Sequence, residues 1–315
     1  MQAIAIVDTS LVWQSRPDPL PGPGELLVAV HAAGINGADL MQRQGFYPAP
    51  PGWPPDIPGM EFAGEVVGAG PATTRFKIGD RVMTIVGGGA QAELLTVPEA
   101  FVLPVPDSIS WEEAGGFPEV FFTAHDALFT QAGLTAGERV LISGAAGGVG
   151  TAAVQIAHAA GAEVVASVRN PDMHDAVRAL GADEVIEPDQ VPDSGPYDVS
   201  LELVGAPGVT AALGAMATGG RIVVIGVGGG GASLELNLLA IMQHRVRLTG
   251  STLRGRSVGE KAEVASAIEA DVLPLLASSQ IKVPLAATYP MADATEGYER
   301  FAAGGKLGKI VLVNQ

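Results

Sequence analysis

The sequence predicts an α/β protein in which a doubly wound parallel sheet is joined to a mainly β barrel domain. Three observations carry this reading. Near residue 119 the texture changes from short β-rich runs to strands alternating with helix-length segments. Fifteen of the 23 prolines lie before that point. The closing residues then return to the style of the opening ones, so the barrel domain is read as residues 1–118 plus 280–315 and the parallel-sheet domain as 119–279.

In the first segment "ELLVAVHAAGI", "EFAGEVVGAG", "RVMTIVGG" and "AELLTVP" are β-rich and separated by long proline-bearing loops, the pattern of a partly open barrel with little helix. Beyond residue 119, "RVLIS", "EVVASV", "EVI", "YDVSLELV", "RIVVIG" and "VRLTGS" each adjoin a helical stretch, which is the rhythm of a doubly wound sheet. One helix is well punctuated: Asn170 caps it, Pro171 suits its first position and Gly181 ends it. Residues 226–233, "GVGGGGAS", read as a flexible loop beside a strand end, and 259–278 as a further helix. "VPLAATYPM", a helix around "ADATEGYERFAAG" and "LGKIVLV" complete the barrel.

Composition narrows the function. The 315 residues are 47 % hydrophobic and 17 % charged, ordinary for a globular enzyme of about two domains. Eighteen Lys and Arg against 34 Asp and Glu give a net charge of −16, so neither nucleic acid nor an anionic membrane is expected as a partner. With no cysteine there is no disulfide, thiolate zinc site, iron–sulfur cluster or cysteine nucleophile. The N-terminus lacks a basic stretch before a long apolar segment, and a cytoplasmic location is the default expectation.

The chemistry-bearing motif is "GAAGGVG", residues 144–150, between the apolar run "RVLI" and a small-residue helix. Gly147 and Gly150 occupy the second and third glycine positions of G-x-G-x-x-G, and Ala145 stands at the first. Together with Gly148 and Val149 they would bring backbone N–H groups and a helix N-terminus against a dinucleotide pyrophosphate. A bare glycine turn between strand and helix is the bland alternative. The second strand ends in Val168, Arg169 and Asn170, with no acid there to accept from a ribose 2′-OH. Arg169 therefore favours the 2′-phosphate of NADPH, unless it is only a solvated surface arginine. His174 is a possible assistant or an exposed helix residue.

With "GINGADLMQRQGFYPAP", "IPGMEFAGEVVGAG", "KIGDRV", "SGAAGGVGTAAVQIA" and "GKIVLV", the chain resembles the medium-chain dehydrogenase/reductase superfamily over essentially its whole length. It looks most like the zinc-free quinone oxidoreductase, or zeta-crystallin, branch. The resemblance implies a Rossmann dinucleotide-binding domain and a GroES-like substrate domain. Zinc-dependent relatives carry cysteine and histidine where this chain has Asn36 and Met60, and the structural-zinc lobe is missing, so no zinc is expected. Without a Lewis acid to hold an alkoxide, a quinone or α,β-unsaturated carbonyl is the fitting acceptor, because its conjugated system spreads the charge that hydride brings. Neutral donors would polarise the acceptor oxygen, and solvent would supply the proton.

The resemblance puts Asn36 and Tyr47 at pocket-lining positions, although Asn36 between glycines also suits a turn and Tyr47 beside prolines also suits loop packing. Thr123 would present its hydroxyl near the nicotinamide or else be a plain helix threonine. Asp39 and Glu61 are read as holding barrel loops, and Phe46, Trp53 and Met60 as apolar walls or core. Gly226, Val227, Ser251 and Thr252 are implied nicotinamide contacts. Lys309 matches a basic position reaching the pyrophosphate, with a solvated strand lysine as its alternative. Met173 and Pro188 replace a lysine and a tyrosine common in the family, which leaves NADH use open. Two other readings stand beside the quinone or enone reductase: an enoyl-thioester reductase, and an NADPH-binding structural protein with little turnover. A homodimer paired through "RVRLTGSTL" is expected.

Overall fold

The computed structural model describes residues 1–228 and 231–314. Gly229 and Gly230, inside the loop expected at 226–233, and Gln315, at the end of the expected barrel range, lie outside the described residues. The chain opens with the antiparallel hairpin β1 (Gln2–Val7) and β2 (Ser10–Ser15). It continues through β3 (Glu25–Ile35), α1 (Gly37–Arg43), β4 (Glu61–Ala69), β5 (Arg81–Ile85), β6 (Leu94–Pro98), β7 (Leu103–Pro104), α2 (Trp111–Gly116) and α3 (Pro118–His125). Alternation follows: β8 (Arg139–Ser143), α4 (Gly148–Ala159), β9 (Glu163–Ser167), α5 (His174–Arg178), β10 (Glu184–Ile186), β11 (Tyr197–Glu202), α6 (Ala206–Leu213), β12 (Met216–Val224), α7 (Leu238–His244) and β13 (Arg247–Gly250). The last stretch holds α8 (Val258–Asp271), α9 (Leu273–Ala277), β14 (Leu285–Pro290), α10 (Ala294–Ala302) and β15 (Lys309–Val313).

Two compact units result, Met1–Phe122 with Leu253–Gln315, and Thr123–Thr252. The first is built on a seven-stranded sheet ordered β14-β15-β3-β4-β5-β7, with β6 also on β3. Every pairing in it is antiparallel except β14 with β15. β3 serves three partners, and register shifts against β4 at Leu27/Val28 and Val30/Ala32 bend it to do so. Phe62, Phe101, Phe117 and Phe121 fill the core of this unit. Serine caps set two of its helices: Ser110 Oγ accepts from Glu113 N and Ser257 Oγ from Glu260 N, and each glutamate returns a bond to its cap.

The second unit carries a six-stranded, all-parallel sheet ordered β10-β9-β8-β11-β12-β13. In the unit's own strand numbering that is 3-2-1-4-5-6, the doubly wound order. Leu141, Val165, Tyr197 and Ile222 lie in its core.

The expected boundary at residue 279 moves to 252. The helix read at 259–278 is present as α8 and α9, but it belongs to the first unit. Arg254, 6 % exposed, donates to Gly87 O at 2.8 Å, Tyr47 O at 2.9 Å and Gln42 Oε1 at 2.5 Å. Further on, Glu269 pairs with Arg75, and Ser108 Oγ donates to Ala277 O. These anchors act on a segment that periodicity alone would continue as another layer of the parallel sheet.

Candidate functional site

In the second unit, β8 delivers the chain into the glycine loop. Gly144 has φ +63°, so the tight turn falls one residue earlier than the motif suggests, and Ala145 needs no glycine freedom. Ala145 is fully buried and donates its N–H to Ser167 O at 3.1 Å. A Cβ on Gly150 would lie 2.6 Å from Ala145 Cα and Gly144 O, so only glycine lets α4 pack this close to the loop. The N-cap of α4 is Gly147, which has no side chain, so the first-turn N–H groups of Gly148, Val149 and Gly150 receive no side-chain cap. β8 lies between β9 and β11, where the strand order reverses, the place such sheets bind nucleotides. The donors and the lack of obstructing Cβ atoms fit a dinucleotide pyrophosphate.

Just past β9, Val168 is buried and donates to Ile186 O, whereas Arg169 is exposed. Asn170 Oδ1 accepts from Asp172 N and starts a short 3-10 turn at Pro171–Met173, and His174 Nε2 sits 3.1 Å from Val168 O. After β12, Gly226 lies where a Cβ would meet Leu203 O at 2.5 Å, and Val227 is exposed. After β13, Ser251 Oγ donates to the buried Asp126 Oδ2 at 2.6 Å, and Thr252 is exposed. Asp126 opens a π-helical segment, Asp126–Gln131. Thr123, 8 % exposed on α3, begins this unit.

In the first unit a buried polar network gathers around Asn36, the residue before α1. Asn36 Nδ2 donates to Glu61 Oε1 at 2.8 Å, and Asn36 Oδ1 accepts from Lys309 Nζ at 2.7 Å. Lys309 also donates to Glu61 Oε1 at 2.5 Å and to Ile35 O at 3.2 Å. Glu61 Oε2 accepts from the backbone N of Glu119 at 2.8 Å. Asp39, fully buried, accepts from Asn36 N and Gly59 N; burial nevertheless raises its carboxyl to about 6. Asp39 and Glu61 thus tie barrel segments together. Tyr47 is half-buried with the Arg254 guanidinium 4.9 Å from its ring centroid, and burial raises its phenol above the usual value. It is therefore a neutral O–H donor at pH 7.

Lys309 requires a correction. It is 3 % exposed, and its three N–H donors go to Glu61, Asn36 and Ile35 O, which leaves none for a pyrophosphate. The physical reason is Glu61, a fully buried carboxylate that needs a cation. Among the expected apolar walls, Met60 is core at 2 % exposure and Phe46 is 75 % exposed. Trp53 packs on Gly87, where a Cβ would reach its ring at 2.3 Å, and lies 5.4 Å from Lys261 Nζ. Sequence reasoning missed Arg254 and Glu119. The one signal for Glu119 is a single acid inside the apolar run "GGFPEVFF".

The comparisons extend these findings. Residues 22–107 match the alcohol dehydrogenase GroES-like domain family and residues 148–270 the zinc-binding dehydrogenase family. Quinone oxidoreductase of Mus musculus is 30 % identical over 310 residues, covering 94 % of this chain and 91 % of that protein. A mycocerosic acid synthase-like polyketide synthase of Mycobacterium tuberculosis is 32 % identical over 301 residues and 93 % of this chain, but the chain spans only 14 % of that protein's length. A mycobacterial protein solved in complex with NADPH superposes with a TM-score of 0.87 at 27 % identity, covering 99 % of this chain and 100 % of that one. Among the described residues no helix is long and apolar enough to cross a membrane. With a GroES-like β domain, a 3-2-1-4-5-6 Rossmann sheet and similarity to a quinone oxidoreductase over 94 % of its residues, the chain belongs to the zinc-free quinone oxidoreductase branch of the medium-chain dehydrogenase/reductase superfamily.

Proposed function

We propose that the protein is a metal-independent, NADPH-dependent reductase of quinones or α,β-unsaturated carbonyls. The observation that carries this reading is the uncapped N-terminus of α4 behind the glycine loop, with exposed Arg169 rather than a carboxylate just past β9. Gly147, Gly148, Val149 and Gly150 would hold the pyrophosphate, and Arg169 the 2′-phosphate. Gly226, Val227, Ser251, Thr252 and Thr123 would border the nicotinamide, and Ser251 is already oriented by its bond to Asp126. When bound, the cofactor supplies a hydride. Tyr47 donates its O–H to the acceptor oxygen, and the remaining N–H of Asn36 is a second neutral donor. Asn36 and Met60 stand where zinc-dependent relatives have ligands, which supports a reaction run by hydrogen-bond donors alone.

The decisive assay follows absorbance at 340 nm with NADPH or NADH, EDTA, and a panel of quinones, an enone and an enoyl thioester. EDTA-insensitive oxidation of NADPH by a quinone or enone is expected. Tight NADPH binding with no acceptor-dependent oxidation would sink the reading in favour of a binding role. Similarity to the polyketide synthase favours a second reading, reduction of an enoyl thioester, and the preferred acceptor in the panel separates the two. The reading includes a homodimer paired through β13, which is an edge strand with all four residues exposed. A cytoplasmic location is part of the same proposal.

A further inference from the structure

We infer that Arg254 and Lys261 form an anion-binding subsite beside Tyr47, and that the acceptor reduced by this protein carries a carboxylate that sits there. This deepens, and rests on, the reductase reading, by naming the substituent its substrate class bears.

Both cations belong to the first unit and both are buried, Arg254 at 6 % and Lys261 at 3 % exposure. Their donors are only partly spent. Arg254 gives Nε–H to Gly87 O, one Nη1–H to Tyr47 O and one Nη2–H to Gln42 Oε1, so Nη1 and Nη2 each keep an N–H. Among the described residues the Lys261 ammonium meets no hydrogen-bond acceptor. It lies over the rings of Trp53 and Phe101, at 5.4 and 5.7 Å from their centroids. Ring faces offset part of the cost of burying an ammonium, but they leave its N–H groups without acceptors and its charge without a counterion. Neither cation has a carboxylate at ion-pair distance among the described residues.

A chain of contacts holds the two in one cluster. The Trp53 ring that carries Lys261 packs on Gly87, and Gly87 O accepts from Arg254. Arg254 in turn lies 4.9 Å from the centroid of the Tyr47 ring. Tyr47 is the residue assigned to polarise the acceptor carbonyl, so an anion on Arg254 falls within a few atoms of that carbonyl. A carboxylate attached to the conjugated system fits this spacing, with one oxygen for the guanidinium and the other for the ammonium.

The acids of the cluster do not fill this role. Glu61 is paired with Lys309, and Asp39 accepts from the backbone of Asn36 and Gly59. Glu119 senses both cations, but burial and then Glu61 push its carboxyl up to about 8, which leaves it mostly neutral at pH 7. Burial holds the Lys261 ammonium below its ordinary value, with Glu119 opposing the shift and Arg254 adding to it. In a chain of net charge −16, this is a local excess of buried positive charge with donors to spare.

The test compares trans-4-oxopent-2-enoate, an enone acid, with its methyl ester as acceptors for NADPH. Although the ester is the more electrophilic alkene, the wild-type protein should favour the acid about 10–100-fold in kcat/KM, mainly through KM. Lys261→Met, which keeps the length of the side chain, should close most of that gap by raising KM for the acid. A second measurement needs neither cofactor nor turnover: 4-oxopentanoate, the saturated acid, titrated into the apoprotein should quench tryptophan fluorescence saturably, and Lys261→Met should weaken its binding about 10–100-fold. Thermal unfolding of the variant checks that it is folded, and the wild-type comparison of acid with ester stands without it. Equal use of acid and ester by the wild type, or a folded Lys261→Met protein that binds 4-oxopentanoate as tightly as wild type, overturns the subsite and leaves the reductase reading intact. Saturable binding of 4-oxopentanoate that depends on Lys261, in a protein that turns over no acceptor, upholds the anion site and overturns the reductase reading.

Discussion

Lys309 Nζ and Asn36 Oδ1, 273 residues apart in the chain, meet at 2.7 Å, and Glu61 closes the triangle with both. A lysine, an amide and a carboxylate from β15, the turn before α1 and β4 thus share one buried polar centre. Lys309 is 3 % and Glu61 0 % exposed, so the pair lies out of reach of solvent and each side chain is the other's ionic partner.

Replacing Lys309 by Met would strand Glu61 without its cation. Urea unfolding should show a loss of about 3–5 kcal/mol, the usual cost of breaking one side of a buried pair. Adding Glu61→Gln should recover part of that loss, because the stranded charge is then gone. A Lys309→Met protein of wild-type stability would contradict the pairing.

Tyr47→Phe removes a hydroxyl and leaves the main-chain carbonyl that Arg254 holds. The loop should therefore remain in place while kcat with a quinone or enone falls about 100-fold, the scale for losing one donor to a developing oxyanion. If Tyr47 is only a packing anchor, kcat will not move.

Arg169→Ala should weaken NADPH about 10–100-fold and leave NADH nearly unchanged, since charge-assisted bonds to a phosphate contribute about 1.5–3 kcal/mol. Fluorescence titrations with both nucleotides check this through the ratio of their Kd values. An equal effect on the two would assign Arg169 to the solvated surface.

Glu138 and Arg221 form a two-pronged pair, Nη1 to Oε1 at 2.7 Å and Nη2 to Oε2 at 2.9 Å. The Arg221 hydrogen bonds hold the Glu138 carboxyl down at about 2. Because its folded value lies below the ordinary 4.5, the stabilisation is complete above about pH 5 and is lost as pH falls toward 2. Glu138→Gln should remove about 1 kcal/mol at pH 7, after allowance for solvent screening, and flatten this acid limb in thermal unfolding scans.

Leu248, 39 % exposed on the edge strand β13, is the residue to change for the dimer. Leu248→Glu places like charges opposite one another if two copies pair along this edge. Sedimentation velocity should then show a monomer where the wild type shows a dimer, and an unchanged sedimentation coefficient would reject pairing through β13.

Much of the fold was legible because its signals are local. The six parallel strands and the glycine loop are written in runs of a few residues, and so is the cap at Asn170, where side chain and backbone bond two residues apart. Even there the loop held a surprise: the positive φ at Gly144 relieves position 145, a shift that spacing does not encode.

What the sequence determined by itself was the presence of a glycine-rich βα loop, Asn36 and Met60 in the segments that carry the family resemblance, and a C-terminal stretch in the style of the first domain. Only the tertiary structure decided that residues 253–279 join the barrel unit, through Arg254 and its acceptors at Gln42, Tyr47 and Gly87. It also decided that Lys309 serves a buried carboxylate. The reason is electrostatic: a lysine's role depends on which acid lies within a few ångströms, and Glu61 is 248 residues away along the chain.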